Sequence, residues 1–370
     1  MRSTYLFVAG TAISLAACVF ANGNPKHADA SLDWNPRAAA SYLDQREAWW
    51  STWSVAARDH DTYCVSCHTV LPYAMARPAL RTTLAEAEQP APERSLIENV
   101  TKRVRLWNEV APFYSDEARG VPKTAESRGT ESIMNAMVLI ANDVPTGKLS
   151  ADSRLALANM WALQLKTGEA RGAWSWIEFH NSPWEGNSQY YGAEIAALAI
   201  GMAPENYKSS SEIQPSLKSL REYLLRESSS QVLIDRVMLV WISAKLPGML
   251  SPTQQKSTVD EALAKQQPDG GFSLSSFVGS WKRRDDSALE MKSDGYATSL
   301  ITCVLEETGD ARNQLQIARA RAWLIANQDK TEGRWLAYSL NKQRDLSTDV
   351  GKFMSDAATA YAVLALRDAK

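Results

Sequence analysis

A turn that recurs along the chain constrains its fold more than any other feature. Gln328-Asp-Lys-Thr-Glu-Gly333-Arg-Trp335 closes one apolar-striped segment, and Gln267-Pro268-Asp269-Gly270-Gly271-Phe272 does the same 63 residues earlier, counted from Phe272 to Trp335. A looser copy runs from Gln164 to Gly172-Ala173-Trp174. Ser293-Asp294-Gly295-Tyr296-Ala297-Thr298 and Ser355-Asp356-Ala357-Ala358-Thr359 follow two of these turns, each reading as a capped helix start. A period of about 62 residues holds two helices and their loops, so the repeat unit is a helical pair. Helical stripes support this: Tyr296, Ala297, Leu300, Ile301, Val304 and Leu305 share one face, Leu315, Ala318, Ala322 and Ile325 another, Leu217, Leu220 and Leu224 a third. Strand alternation is nearly absent, and the expected class is all-α, with about twelve helical segments between Trp34 and Arg367.

Arg319-Ala320, Trp323-Leu324, Gln328, Gly333 and Trp335 together resemble the QW repeat of squalene-hopene and oxidosqualene cyclases. The segment from Gln267 to Phe272 is similar to the related prenyltransferase repeat. The resemblance covers about residues 130–370 and implies an α/α toroid, with inner and outer rings of helices around a central cavity. The chemistry of those enzymes is not expected to follow. The protonating Asp-x-Asp-Asp of the cyclases is missing, Asp285-Asp286 being the nearest acidic pair. The zinc set of the prenyltransferases needs an Asp, a Cys two residues on and a later His. Asp294 stands at a comparable helix start, but Cys303 is nine residues away and no histidine follows His180. Asp294 and Glu185 remain the carboxylates to consider for acid–base work. Glu185 belongs to a dense aromatic and polar stretch with Glu178, His180, Trp184 and, just beyond, Tyr190. That stretch reads either as a turn covering a helix end or as the mouth of a cavity.

The sharpest chemical motif is Cys64-Val65-Ser66-Cys67-His68. Two thiols three residues apart can add to the two vinyl groups along one porphyrin edge, and the next residue brings an imidazole to the iron. A redox dithiol would want a βαβ setting, and zinc would want four ligands. The expected cofactor is one covalent haem c, bound through Cys64 and Cys67, with His68 as axial ligand. For the second axial position Met75 is disfavoured, because seven residues of helix return it to the side of His68 unless Pro72 breaks the helix. His60 folding back, Met134, Met137 or Met160 from later helices, or no protein ligand at all remain open.

The start of the chain reads as an export signal. Arg2 precedes a short apolar run at residues 6–17, too short to span a membrane as a mature helix. Cleavage after residue 17, 21 or 30 fits small residues. The first of these follows a lipoprotein-like Leu15-Ala16-Ala17-Cys18 and would leave a lipid anchor on Cys18. The expected organisation is a signal over residues 1–30, a helical haem segment over 31–115, and the repeats over 116–370, in a periplasmic or exported protein. A net charge of −2 without a basic patch argues against nucleic acid. The 13 tryptophans against 7 phenylalanines pack helices together or line an apolar cavity. Two functions follow as expectations. One is electron transfer to a redox partner protein; the other is haem-dependent chemistry on, or binding of, an apolar small molecule in the cavity.

Overall fold

The computed structural model describes residues 1, 34–179, 183–184 and 188–367. The expected signal segment, its three cleavage points and Cys18 lie outside these residues, as do His180 and Glu185. Helices account for 61% of the structure, and the only strands among the described residues are β1 (Ala57–Arg58) and β2 (Thr62–Tyr63), so the all-α expectation holds. The helices are α1 (Pro36–Thr52), α2 (Val70–Leu84), α3 (Ala91–Arg105), α4 (Asp116–Arg119), α5 (Lys123–Asp143), α6 (Ala151–Ala162) and α7 (Ser188–Met202). They continue as α8 (Gln214–Glu227), α9 (Leu233–Lys245), α10 (Pro252–Leu263), α11 (Gly295–Thr308), α12 (Gln314–Asn327) and α13 (Phe353–Leu366). Asp33–Lys370 forms one contact-rich unit. No helix among the described residues is long and apolar enough to cross a membrane.

Two kinds of helix alternate. In α13, 13 of 14 residues are buried, and in α11, 11 of 14 are, so no polar face is left for water. By contrast, α8 and α12 bury only four residues each, along one stripe. The more deeply buried kind touch one another in chain order: α2 packs on α5, α5 on α7, α7 on α9, α9 on α11, α11 on α13, and α13 on α2. The amphipathic kind lie against them, with α1 on α2 and α13, α6 on α5, α8 on α7, α10 on α9 and α12 on α11. Local signals start many of these helices. Asn35 caps α1 ahead of Pro36, Ser251 caps α10 ahead of Pro252 and forms a capping box with Gln254, and Asp294 caps α11 through Ala297 N–H.

Three sequence expectations need correction. The buried stripe of α12 is Ile317, Ala320, Trp323 and Leu324, while Leu315 is exposed, because the large Trp323 ring decides which face turns inward. Asp356 does not cap α13: Lys352 holds that position, and Asp356 lies inside the first turn with its carboxylate turned to other elements. Pro72 does not break α2. It sits in the first turn, where its missing N–H would have had no helical partner. The helix starts only after His68.

The recurring turns share one job. Each glutamine amide donates to the glycine carbonyl of its own turn and to a carbonyl at the start of another helix. Gln164 Nε2 reaches Gly172 O and Ser216 O, both at 2.9 Å, and Gln328 Nε2 reaches Gly333 O at 3.1 Å and Asn35 O at 3.0 Å. In the middle copy the equivalent residue is Gln266, not Gln267: it reaches Gly270 O and Gln316 O, both at 2.9 Å. Glycine is required at two of these positions by its surroundings. Gly172 has φ 97° and Gly333 φ 83°, and a Cβ on either would stand 2.1 Å from a helix carbonyl, Ser219 O or Ala38 O. Trp174 and Trp335 are fully buried and donate Nε1–H to Met160 O at 2.6 Å and Leu324 O at 2.7 Å. Trp335→Ala is therefore expected to cost about 3–5 kcal/mol in urea unfolding. A cost no greater than that of an exposed tryptophan would contradict the anchoring role.

Candidate functional site

The segment holding the two cysteines is pinned before it reaches them. β1 and β2 pair antiparallel, Ala57 with Tyr63 and Arg58 with Thr62. Asn99 of α3 then treats Tyr63 as a strand partner, accepting from its N–H at 2.9 Å and donating to its carbonyl at 3.1 Å. Trp50 Nε1 donates to Cys64 O at 2.7 Å, and Ser66 Oγ accepts from the N–H groups of Thr69 and Val70 at the start of α2. Arg103, fully buried, ties the hairpin to its surroundings through Thr62 Oγ1 at 2.7 Å, Glu131 at 2.6 Å and Ala111 O at 2.7 Å. So many fixed donors and acceptors leave the motif little freedom of its own.

Cys64, Cys67 and His68 all line one cleft, which encloses about 980 Å³ of empty space with its open mouth included. No disulfide joins the two cysteines. Burial pushes the Cys64 thiol up, against the opposing fields of Arg58 and Arg103. The His68 ring stacks on Phe353 at 3.8 Å between centroids, and meets Trp50 edge-on at 5.1 Å. This crowding pushes its pKa down to about 3, with Arg46 and Arg344 adding to burial, so the ring is neutral at ordinary pH.

The tautomer follows from hydrogen bonding. Thr69 Oγ1 donates its one proton to Asp356 Oδ2 at 2.7 Å. Asp356 Oδ1 accepts from Tyr42 O–H at 2.7 Å and from Arg46 Nε at 2.8 Å. With its proton committed, the Thr69 hydroxyl can only accept from His68 Nδ1, 2.9 Å away. The neutral ring therefore carries its proton on Nδ1 and a lone pair on Nε2, the arrangement a metal-ligating histidine needs.

Other expected ligands lie elsewhere. His60 sits on the hairpin turn at φ 54°, its ring 40% exposed and its Nδ1 3.1 Å from Asp59; it does not line the cleft. Met75, Met134, Met137 and Met160 are buried in the helical packing and do not line it either, whereas Met354 does. Asp294 is occupied as a cap: its oxygens accept from Ala297 N at 2.9 Å and Leu274 N at 2.6 Å, away from the cleft. Ile177, Phe179 and Trp184, from the aromatic stretch, do form part of the cleft wall, while Tyr190 is buried and bonded to Leu224 O at 3.2 Å. Thr69, Asp356, Phe353, Met354 and Arg344 were missed by sequence reasoning. Only Asp356 carried a signal, as a charge within an otherwise apolar helix.

A second polar cluster lies among the buried helices. Glu194 of α7 is fully buried with neither carboxyl oxygen hydrogen-bonded, and burial together with Asp235 of α9 raises its pKa well above the usual range. Burial pushes Asp235 up to about 7. Among the described residues no three His, Cys, Asp or Glu side chains gather to hold one metal ion. No protein-family model matches the chain, and no curated protein matches it.

Two predictions follow from this geometry. Thr69→Val removes the acceptor of His68 Nδ1–H and a donor to Asp356, so it should cost about 1–3 kcal/mol in denaturant unfolding, with Thr69→Ser close to wild type. Equal stability of the Val and Ser variants would refute the relay. For Asp235, the folded state keeps a proton that the unfolded chain releases above about 3.9. The unfolded state thus binds fewer protons between about 4 and about 7, and stability falls as pH rises through that window. Asp235→Asn should remove this part of the pH dependence, read from urea midpoints at pH 5 and pH 8.

Proposed function

We propose that this chain is an exported mono-haem electron-transfer protein whose helices form an α/α toroid. The observation that carries the haem reading is the convergence of Cys64, Cys67 and a neutral His68 with a bare Nε2 on one aromatic-walled cleft. Cys64 and Cys67 would hold the group as thioethers, and His68 Nε2 would be its axial ligand. When bound, haem supplies a one-electron iron couple. The residues of this chain do the rest. Thr69 and Asp356 hold the imidazole in one tautomer and orientation, and Phe353, Trp50 and Trp184 keep water from its faces. The export signal at residues 6–17 suits a group attached outside the cytoplasm.

The toroid reading is supported by the order of helix neighbours, which runs from α2 through α13 and returns to α2. It is supported also by the last repeat turn, where Gln328 and Gly333 dock on the start of α1. These contacts bring the last repeat turn against the start of α1.

A second reading is favoured by the size of the cleft beside His68: haem-dependent chemistry on, or binding of, an apolar small molecule. The two are separated by one preparation. Expression in a periplasm with haem-attachment machinery should yield a red protein whose haem survives acid-acetone extraction, and Cys64→Ala with Cys67→Ala should abolish attachment. A reduced spectrum unchanged by carbon monoxide is the result expected for electron transfer. A carbon monoxide shift would favour haem-dependent chemistry, and haem lost to the solvent would sink both electron transfer and that chemistry, leaving binding of the small molecule alone.

A further inference from the structure

Among the described residues Arg344 is the arginine that lines the cleft, and three arginines near it are already paired. Arg46 pairs with Asp349 and Asp356, both at 2.8 Å, Arg283 with Glu290, and Arg334 with Glu332 at 2.6 Å. Arg344 lines the cleft, is half-buried, and has no hydrogen bond or ion pair among the described residues. The acids near it in sequence or space are committed elsewhere: Asp345 to the N–H and hydroxyl of Ser347, Asp285 to Ser287 and to Gln343 N–H. Arg344 and His68 line the same cleft.

A half-buried guanidinium without an anion is costly to keep, and its planar fork of N–H donors matches a carboxylate. Much of the rest of the wall is aromatic, including Trp50, Phe113, Phe179, Trp184 and Phe353, with the hydroxyls of Ser127, Thr130 and Ser339 between the rings. The complementary occupant is therefore a flat or elongated apolar body that ends in a carboxylate. We propose that Arg344 is the carboxylate anchor of this cleft and that, on the haem reading above, it pairs with a propionate of the haem held by Cys64 and Cys67. A haem bound by its two vinyl carbons carries its propionates on the other side of the ring, so the cysteines and Arg344 would hold it from two sides. The same fork would hold a free apolar carboxylic acid.

The test uses the full chain, with Arg344→Gln, Arg344→Lys and, as a control cation outside the cleft, Arg94→Gln. Covalent haem is measured first, by pyridine haemochrome and intact mass, so that loss of the haem reading is seen separately. With haem attached, Arg344→Gln should retain it and lower the midpoint potential. Removing a positive charge near the iron disfavours the added electron. The expected size is about a tenfold shift in the reduced-to-oxidised ratio at fixed potential, which is about 59 mV for one electron. Arg344→Lys should recover most of the shift, and Arg94→Gln should leave the potential unchanged. A potential in Arg344→Gln within about twofold of the wild-type ratio, or one that Lys does not recover, overturns the proposal. If the wild-type chain carries no haem, dodecanoate and dodecanol are titrated against its tryptophan fluorescence. Dodecanoate binding that weakens about tenfold in Arg344→Gln, with no such loss for dodecanol, supports the anchor with a free acid as the source. Equal or absent dodecanoate binding overturns it.

Discussion

A single buried carboxylate holds together parts of the chain that are almost its full length apart. Asp356, in the first turn of α13, accepts from Tyr42 and Arg46 of α1, 314 and 310 residues away, and from Thr69 beside the cysteine motif, 287 residues away. Burial alone would push its proton affinity up, and the Arg46 guanidinium opposes that. A charge so deeply buried is tolerable only because each contact satisfies it. The consequences reach the cleft directly. The Thr69 proton is spent on Asp356, so His68 must donate from Nδ1 and expose Nε2.

The repeated turns solve a different problem with the same economy. A helix start or end leaves carbonyls and N–H groups without partners, and burying them unpaired would cost about 1–3 kcal/mol each. Gln164, Gln266 and Gln328 close their own turns and satisfy a neighbouring helix with one amide. Glycine at Gly172 and Gly333 lets the backbone come close enough for this. The tryptophan or phenylalanine that follows fills the space between helices. The last such turn meets the start of α1, where Gln328 accepts from Asn35 N–H and donates to its carbonyl.

Much of the cleft could be read in advance only as a local pattern. Cys64, Cys67 and His68 are adjacent in sequence, and their spacing speaks to chemistry without any fold. The groups that complete the site are scattered: Trp50 from α1, Trp184 from a loop, Arg344, Phe353 and Met354 from the stretch that ends in α13. No local period links them. His60 misled for the same reason. Four residues before Cys64 suggests proximity, yet a tight hairpin turn with φ 54° at that residue points it to solvent beside Asp59.

What the sequence determined by itself is whatever depends on short-range chemistry. That includes the helical class, the Gln–Gly–aromatic turns, the start of α11 at Asp294, and the cysteine–histidine motif. These follow from apolar spacing, capping and backbone freedom within a few residues. Tertiary structure alone decided which face of α12 is buried, that Gln266 rather than Gln267 closes its turn, and that Asp356 serves a relay instead of a cap. Each of those outcomes is a competition among partners brought together from distant segments, and burial settles it by the cost of leaving a polar group or a large ring unmatched.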